Sequence, residues 1–519
     1  MNDQTLHTAS YDDADARTEP DAHSAPFYIA ATASLAELRP RILKSDDEFA
    51  VFGHNGDISG PATGGSASAE GLYYRDTRYL SRLGLALNGA RPMLLSSAVS
   101  GDNAMLTCDL ANPDLPGLDH GEIHIRRSKF LLHAACHERL AIRNFSGRPQ
   151  RFMLEIGFAA DFVDLFEVRG TTREKRGTMR APRIEDGTIV LAYDGLDDVR
   201  RSMVLSFDPV PARLESARAG FDVELEPGAL QVINIEMRCV EGESAPAPQL
   251  AFLPAMRAAR RSRREASERS PGITTDNEIF NEAIRRAQAD LTMLVTETPQ
   301  GPYPYAGIPW FSAAFGRDAL ITALQTLWLD PGITRGVLRY LAAHQATETD
   351  AASDAEPGKI LHEVRHGEMA MLGEVPFRHY YGAVDSTPLF IMLAGAYLAR
   401  TDDLDTIRAL WPNIEAALRW IDRYGDADGD GFVEYGRKSK DGLVNQGWKD
   451  SQDSIFHADG RLAEGPIALA EVQGYVFAAK TAAAHIASLL GRLEQARRLH
   501  GQAAALQANF ERVFWNDEL

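Results

Sequence analysis

The texture of the chain changes once, near Pro271, and that change fixes most of what the chain can fold into. Before it, from about Phe27 to Leu250, short apolar runs are separated by turn signals, as in EFAVFG, HNGDISGPATGG, GLYYRDTRYLSRLGLALNGARPMLL, QRFMLEIGFAADF and GALQVINIEMRCVE. Alternation of period two, with Asn88-Gly89 between two apolar runs, is the pattern of half-buried antiparallel strands joined by tight turns, and it predicts an all-β sandwich. After it, seven segments place apolar residues at helical spacing: 277–297, 317–329, 332–346, 386–400, 405–425, 466–491 and 492–515. No strand pattern alternates with them, so an all-α half is expected. Two halves this unlike do not share a core, and 519 residues exceed what one core of ordinary size serves. The expected division is a disordered leader over 1–26, the β-sandwich domain over 27–250, a linker over 251–274 and the helical domain over 275–519. Prolines and the charged stretch RAARRSRREASERS mark the linker.

Charge and cysteine usage narrow the function classes. With 54 basic and 73 acidic residues the formal charge is −19, which argues against nucleic acid and anionic membranes as partners. The chain carries no apolar run long enough to span a bilayer, and its acidic, polar N-terminus lacks the basic-then-apolar order of a secretory signal; both predict a soluble, cytoplasmic protein. Cys108, Cys136 and Cys239 are far apart with no C-x-x-C pattern, so neither a disulfide framework nor a thiolate zinc site is indicated. All six tryptophans, Trp310 to Trp515, lie in the helical half, and two or three of them suffice for its core. The remainder point to that half for the ligand, because an indole face stacks on apolar ligand surfaces.

Two motifs invite a metal. His362–His366 reads HEVRH and fits the zinc-peptidase pattern, but that pattern works only when both imidazoles share a helical face. Pro357-Gly358 before it and Gly367, Gly373 and Pro376 after it predict a loop instead. In DADGDGFVE, Asp426, Asp428, Asp430 and Gly431 occupy positions 1, 3, 5 and 6 of a calcium loop, whereas position 12 is Arg437, which excludes a true EF-hand. A reduced calcium site on Asp426, Asp428, Asp430 and Glu434 stands beside the plain reading of a Gly/Asp turn. The esterase and P-loop signatures G-x-S-x-G and G-x-x-x-x-G-K-[ST] are absent.

Five loop segments of the helical half combine aromatic, carboxylate and guanidinium groups: GIPWFSAAFGRD (307–318), GKILHEVRHGEMA (358–370), FRHYYGAVDSTP (377–388), NQGWKDSQDS (445–454) and GPIALAEVQGY (465–475). Carbohydrate sites need this mixture, with rings against the sugar C–H face and charged groups holding hydroxyls. AGIPWFSAAFGRD, GWKDS, YYGAVDSTP and EVQGY resemble the glycosidase domain of bacterial amylo-alpha-1,6-glucosidase-like proteins, relatives of the glycogen debranching enzymes within the six-hairpin glycosidases. HNGDISG, GLYYRDTRYLSRLGLALNG, NPDL and ADFVDLFEVRG resemble the β-domain that precedes it in those proteins.

That resemblance implies an (α/α)6 toroid, incomplete in this chain, and inverting hydrolysis of α-glucosidic bonds in an α-glucan or small α-glucoside, with no cofactor required. In this reading Asp450, two residues after Trp448, is the general acid, preferred over Asp453 because Trp448 would wall it from water and raise its pKa. Arg317 and Asp318 match the pair that grips the nonreducing glucose. Trp310, Glu363, Arg365, Glu368, Tyr381, Asp385, Glu471 and Gln473 are the remaining wall candidates. Seven helices where the toroid needs twelve imply that about 200 residues are missing, the catalytic base among them. A phosphorylase on the same toroid and a noncatalytic carbohydrate-binding protein are the competing readings, and nothing in the sequence speaks to oligomeric state.

Overall fold

A computed structural model describes residues 40–60, 68–242 and 251–517; the leader expected over 1–26 lies outside the described residues. The first half is β apart from the single helical turn Leu165–Val168. Four short strands, Arg41–Ser45, Glu48–Phe52, Gly71–Tyr74 and Thr77–Leu80, pair in chain order. Arg213–Glu215, Arg218–Leu225, Gln150–Ala159 and Arg82–Leu87 form a second sheet, and a third of nine strands is centred on Leu230–Glu241 and Ala135–Asn144, paired antiparallel through Met237 and Cys136. Alternation seats their apolar faces on one core, seen along Ile123–Leu131 and Gln150–Ala159, where every second residue is buried. Asn88 and Gly89 both have positive φ, 45° and 81°, and close the two-residue turn between Leu87 and Ala90 that their sequence predicts.

The second half consists of helical hairpins. Gly316–Thr326 packs on Pro331–Ala343, Ser386–Thr401 on Leu404–Trp420, and Ala470–Leu489 on Leu493–Val513. Ser386–Thr401 also lies against both Gly316–Thr326 and Ala470–Leu489, so the first helix of each hairpin lines one inner layer. The sequence dictates this. STPLFIMLAGAYLART and AEVQGYVFAAKTAAAHIASL are apolar or small on nearly every face and must be covered all round, whereas LEQARRLHGQAAALQANFERV keeps charge on its outer side.

All seven expected helices form. Two features depart from expectation. Residues 252–267, assigned to a linker, form the helix Phe252–Ser267, because Phe252, Ala255 and Ala259 recur on one face and bury against Phe130 and Leu132 of the sandwich. The half expected to be all-α also holds two small β pairs, Val295–Thr298 with Gly301–Pro304 and Ala314–Phe315 with Glu363–Val364. No helix among the described residues is long and apolar enough to cross a membrane.

The halves meet at a seam built mainly by loop 362–374. Asp76 of the sandwich accepts from Arg365 Nη1 at 3.0 Å and from the His366 backbone N–H at 2.8 Å. Asp164 accepts from Met369 N–H at 3.0 Å, and Glu368 accepts from Tyr193 Oη, Leu196 N–H and Arg173 Nη1 at 2.8, 2.6 and 3.1 Å. Gly367 is required here, since a Cβ at that position would sit 2.2 Å from the Asp164 carboxylate.

Candidate active site

The inner helices bring three charged segments together at their first turns: Arg317-Asp318, Asp385 just before Ser386, and Glu471. Helix N-termini favour carboxylates, so this end of the inner layer is where acidic groups are tolerated in number. Gly316 starts the first helix with its N–H on His362 O at 2.7 Å, and a Cβ there would fall 2.0 Å from Leu361 O. The glycine lets the helix start butt against strand Glu363–Val364, which fixes where Arg317 points.

Arg317 is the hub. Its Nη1 donates to Asp385 Oδ2 at 3.1 Å and to Gly447 O at 2.9 Å, while Nη2 donates to Asp450 Oδ2 at 2.9 Å. Asp385 is fully buried; burial pushes its carboxyl up to about 6 in spite of the guanidinium that pulls it down. The Asp450 side chain, by contrast, is 41% exposed and faces a cavity of about 440 Å³. Tyr305, Phe311, Phe315, His362, Asp318 and Trp448 contribute to the walls of the same cavity. Removal from water also raises the Asp318 carboxyl, with Arg317 opposing, although its side chain remains open to the cavity. Burial holds the His362 imidazole well below its usual value, so it is neutral, and its Nδ1 has no partner among the described residues. The cavity therefore offers acceptors, one shared guanidinium and aromatic faces, which is the chemistry of a site for hydroxyl-bearing ligands.

Two parts of the chain match known families. Residues 43–236 match the N-terminal domain of (some) glycogen debranching enzymes, and residues 312–519 match the mannosylglycerate hydrolase MGH1-like glycoside hydrolase domain. The chain thus joins a domain similar to the first family to a domain similar to the second. Among solved structures it is similar to a human-microbiome protein assigned as a kojibiose phosphorylase, with 9% identity and a TM-score of 0.59 over 92% of this chain and 68% of that one. A bacterial glucoamylase complexed with acarbose matches with 13% identity and a TM-score of 0.53, covering 90% and 66%. These likenesses establish the six-hairpin glycosidase fold behind a β-rich N-terminal domain, and the chain spans about two thirds of each of those structures. No curated protein matches the chain by sequence.

Within this fold, the residues singled out from sequence divide sharply. Arg317, Asp318, Trp448 and Asp450 line the cavity, and Asp385 stands directly behind Arg317. Glu471 is exposed on the first turn of its helix and close enough to Asp385 to raise its carboxyl further. Asp453 is exposed outside the cavity walls. Trp448 gives Asp450 no apolar cover, since it is itself 67% exposed.

Six expected wall residues belong instead to the domain seam or the core. Arg365 and Glu368 hold the sandwich, as described above. Trp310 packs into an apolar cluster with Phe49, Val51, Tyr73 and Leu165, and its carbonyl accepts from Arg365 at 2.9 Å; the neighbouring Phe311 is the ring that reaches the cavity. Tyr381 donates to His344 O at 2.8 Å from within the helical core, and the Gln473 amide clasps both backbone groups of Val433 at 2.8 and 2.7 Å. Glu363 is buried beside Arg365, 3.7 Å from its Nε, and is raised to about 7 chiefly by burial. Phe311, Phe315, Tyr305 and His362 are walls not singled out from sequence, though all four lie in or beside the segments 307–318 and 358–370 that combine aromatic and charged groups.

The two metal motifs resolve differently. Glu363 and Val364 form a short strand paired to Phe315 and Ala314, so HEVRH does not form a helical zinc face. Ligand atoms of Asp426, Asp428 and Asp430 lie within 4.8 Å of one another. The loop's own N–H groups occupy one oxygen of each, from Gly431, Asp430 and Phe432 respectively, while Asp426 Oδ1 and Glu434 Oε1 are buried without a partner. Burial and then the three aspartates raise the Glu434 carboxyl. Two orphaned carboxylate oxygens beside a like-charged cluster fit a hard cation.

Proposed function

We propose that this chain belongs to an amylo-alpha-1,6-glucosidase-like glycoside hydrolase that cleaves α-glucosidic bonds with inversion. The supporting observation is the Arg317 guanidinium shared between buried Asp385 and open Asp450 at a cavity that also holds Asp318 and Trp448. In this reading the nonreducing glucose places hydroxyls against Arg317 and Asp318, and Trp448 covers its C–H face. Engagement of Arg317 by the sugar frees Asp450 from its ion pair. Asp450 then gives a proton to the glycosidic oxygen as the bond to the anomeric carbon breaks, and a water activated by a second carboxylate adds from the opposite face. That base is proposed to lie outside these 519 residues, and the site of action is proposed to be the cytoplasm.

Asp450→Asn in the enzyme carrying both catalytic carboxylates tests the reading. Turnover falls on the order of 10²–10⁴-fold while sugar affinity is kept, because the amide preserves shape but holds no transferable proton. Unchanged turnover removes Asp450 from the acid role. Product analysis decides between reactions: free glucose marks hydrolysis, a glucosyl phosphate made only with added phosphate marks the phosphorylase, and sugar binding without product marks a binding protein. We also propose a structural calcium ion on Asp426, Asp428, Asp430 and Glu434. Calcium then raises the melting temperature of the wild type and not of Asp428→Asn, and equal response of the two removes the site.

A further inference from the structure

The sandwich sends one cation to the ring of a cavity-wall residue, and no described group neutralises it directly. Arg169 caps the single helical turn Leu165–Val168, and its guanidinium lies over the rings of Phe166 at 5.3 Å and Phe311 at 5.8 Å. Phe311 is a cavity wall. Among the described residues the Arg169 guanidinium has neither a hydrogen-bond nor an ion-pair partner.

Its neighbours are all engaged. Arg365 holds Asp76 and the Trp310 carbonyl, Arg317 holds Asp385 and Asp450, and Arg173 holds Glu368 and Glu374. Glu363 is the carboxyl that acts most strongly on Arg169, but it contacts Arg365 and, raised to about 7, carries only part of a charge at neutral pH. Burial and repulsion from Arg365 pull Arg169 down to about 10, so it remains a cation. A half-buried guanidinium with unpaired donors, stacked on the Phe311 wall of a cavity, is placed to take an oxyanion, whose geometry its fork matches. A neutral sugar hydroxyl would leave the charge uncompensated.

We propose that Arg169 is an oxyanion-binding residue contributed by the β-domain to the cavity of the helical domain. The oxyanion is either free inorganic phosphate or the carboxylate or phosphate of a substrate's leaving group; the inference deepens, and rests on, the reading of this cavity as a glycoside site. The sandwich then completes the binding site as well as bracing it.

Isothermal titration of the full chain at low ionic strength tests this, with inorganic phosphate, glycerate and glucose as separate probes and matched chloride as the control. The wild type binds phosphate or glycerate, and which of the two binds names the source. Arg169→Gln weakens that binding about tenfold or more, Arg169→Lys restores part of it, and glucose affinity changes less than about twofold. Near-UV circular dichroism of both variants verifies the fold. Failure of the wild type to bind either oxyanion above the chloride control, or equal affinity in Arg169→Gln, overturns the proposal. The glycoside reading fails separately: glucose then does not bind although the oxyanion does.

Discussion

Arg317 and Arg365 are both buried arginines that follow an extended segment and hold a carboxylate from a distant part of the chain, yet they have opposite roles. Every partner of Arg365 is sealed, with the Asp76 side chain only 3% exposed. Arg317 has one sealed partner and one, Asp450, open to a cavity. A closed pair can only hold two domains together; a half-open pair can exchange its open member for a ligand. The difference lies in what covers the second carboxylate, and the arginine itself gives no sign of it.

Substitution should separate the two arginines. Arg365→Met strands the Asp76 charge in the seam and should cost about 3–5 kcal/mol, the usual penalty for breaking a buried pair from one side. Arg317→Met should cost less, roughly 1–3 kcal/mol, because Asp385 is already poised to take up a proton and Asp450 can turn to solvent. Urea unfolding measures both, and equal losses would erase the distinction between seam and site.

The seam's pH dependence gives a smaller effect. Glu363 is raised from 4.5 to about 7 in the folded chain, so the native state holds its proton where the unfolded chain has lost it. Its contribution is present in full below about 4.5 and disappears as pH rises through 7. The melting temperature should therefore fall between pH 6 and 8 more steeply in the wild type than in Glu363→Gln. Identical slopes would show that Glu363 does not titrate in this range.

The smallest effect is expected at Trp448. Trp448→Ala should leave stability within about 0.5 kcal/mol, as befits an exposed ring, while weakening sugar binding by about 0.5–1.5 kcal/mol. Loss of stability without loss of binding would make the tryptophan a packing residue.

Trp310, Arg365 and Glu368 show why part of the site could not be read in advance. They occur in the same aromatic-and-charged segments as Phe311 and Arg317, because a domain seam and a sugar site draw on the same side chains. Which of two neighbours such as Trp310 and Phe311 faces the sandwich, and which the cavity, depends on a turn closed by the Gly307–Phe311 bridge and on strands 49–51 packed opposite. Arg169 lies in ADFVDLFEVRG, which pointed to the β-domain and not to the cavity: it stands 142 residues before Phe311 and meets that ring only when the two domains dock.

The sequence by itself determined the two folds, since strand and helix periods are written in consecutive residues, along with the hairpin at Asn88-Gly89 and the segments rich enough in aromatic and charged groups to form a site. The tertiary structure decided which of those groups are shared between domains, which are sealed behind others, as Asp385 is behind Arg317, and which stay open to a ligand. Burial and counter-charge are properties of the assembled surroundings, set by residues tens to hundreds of positions away, and local pattern does not contain them.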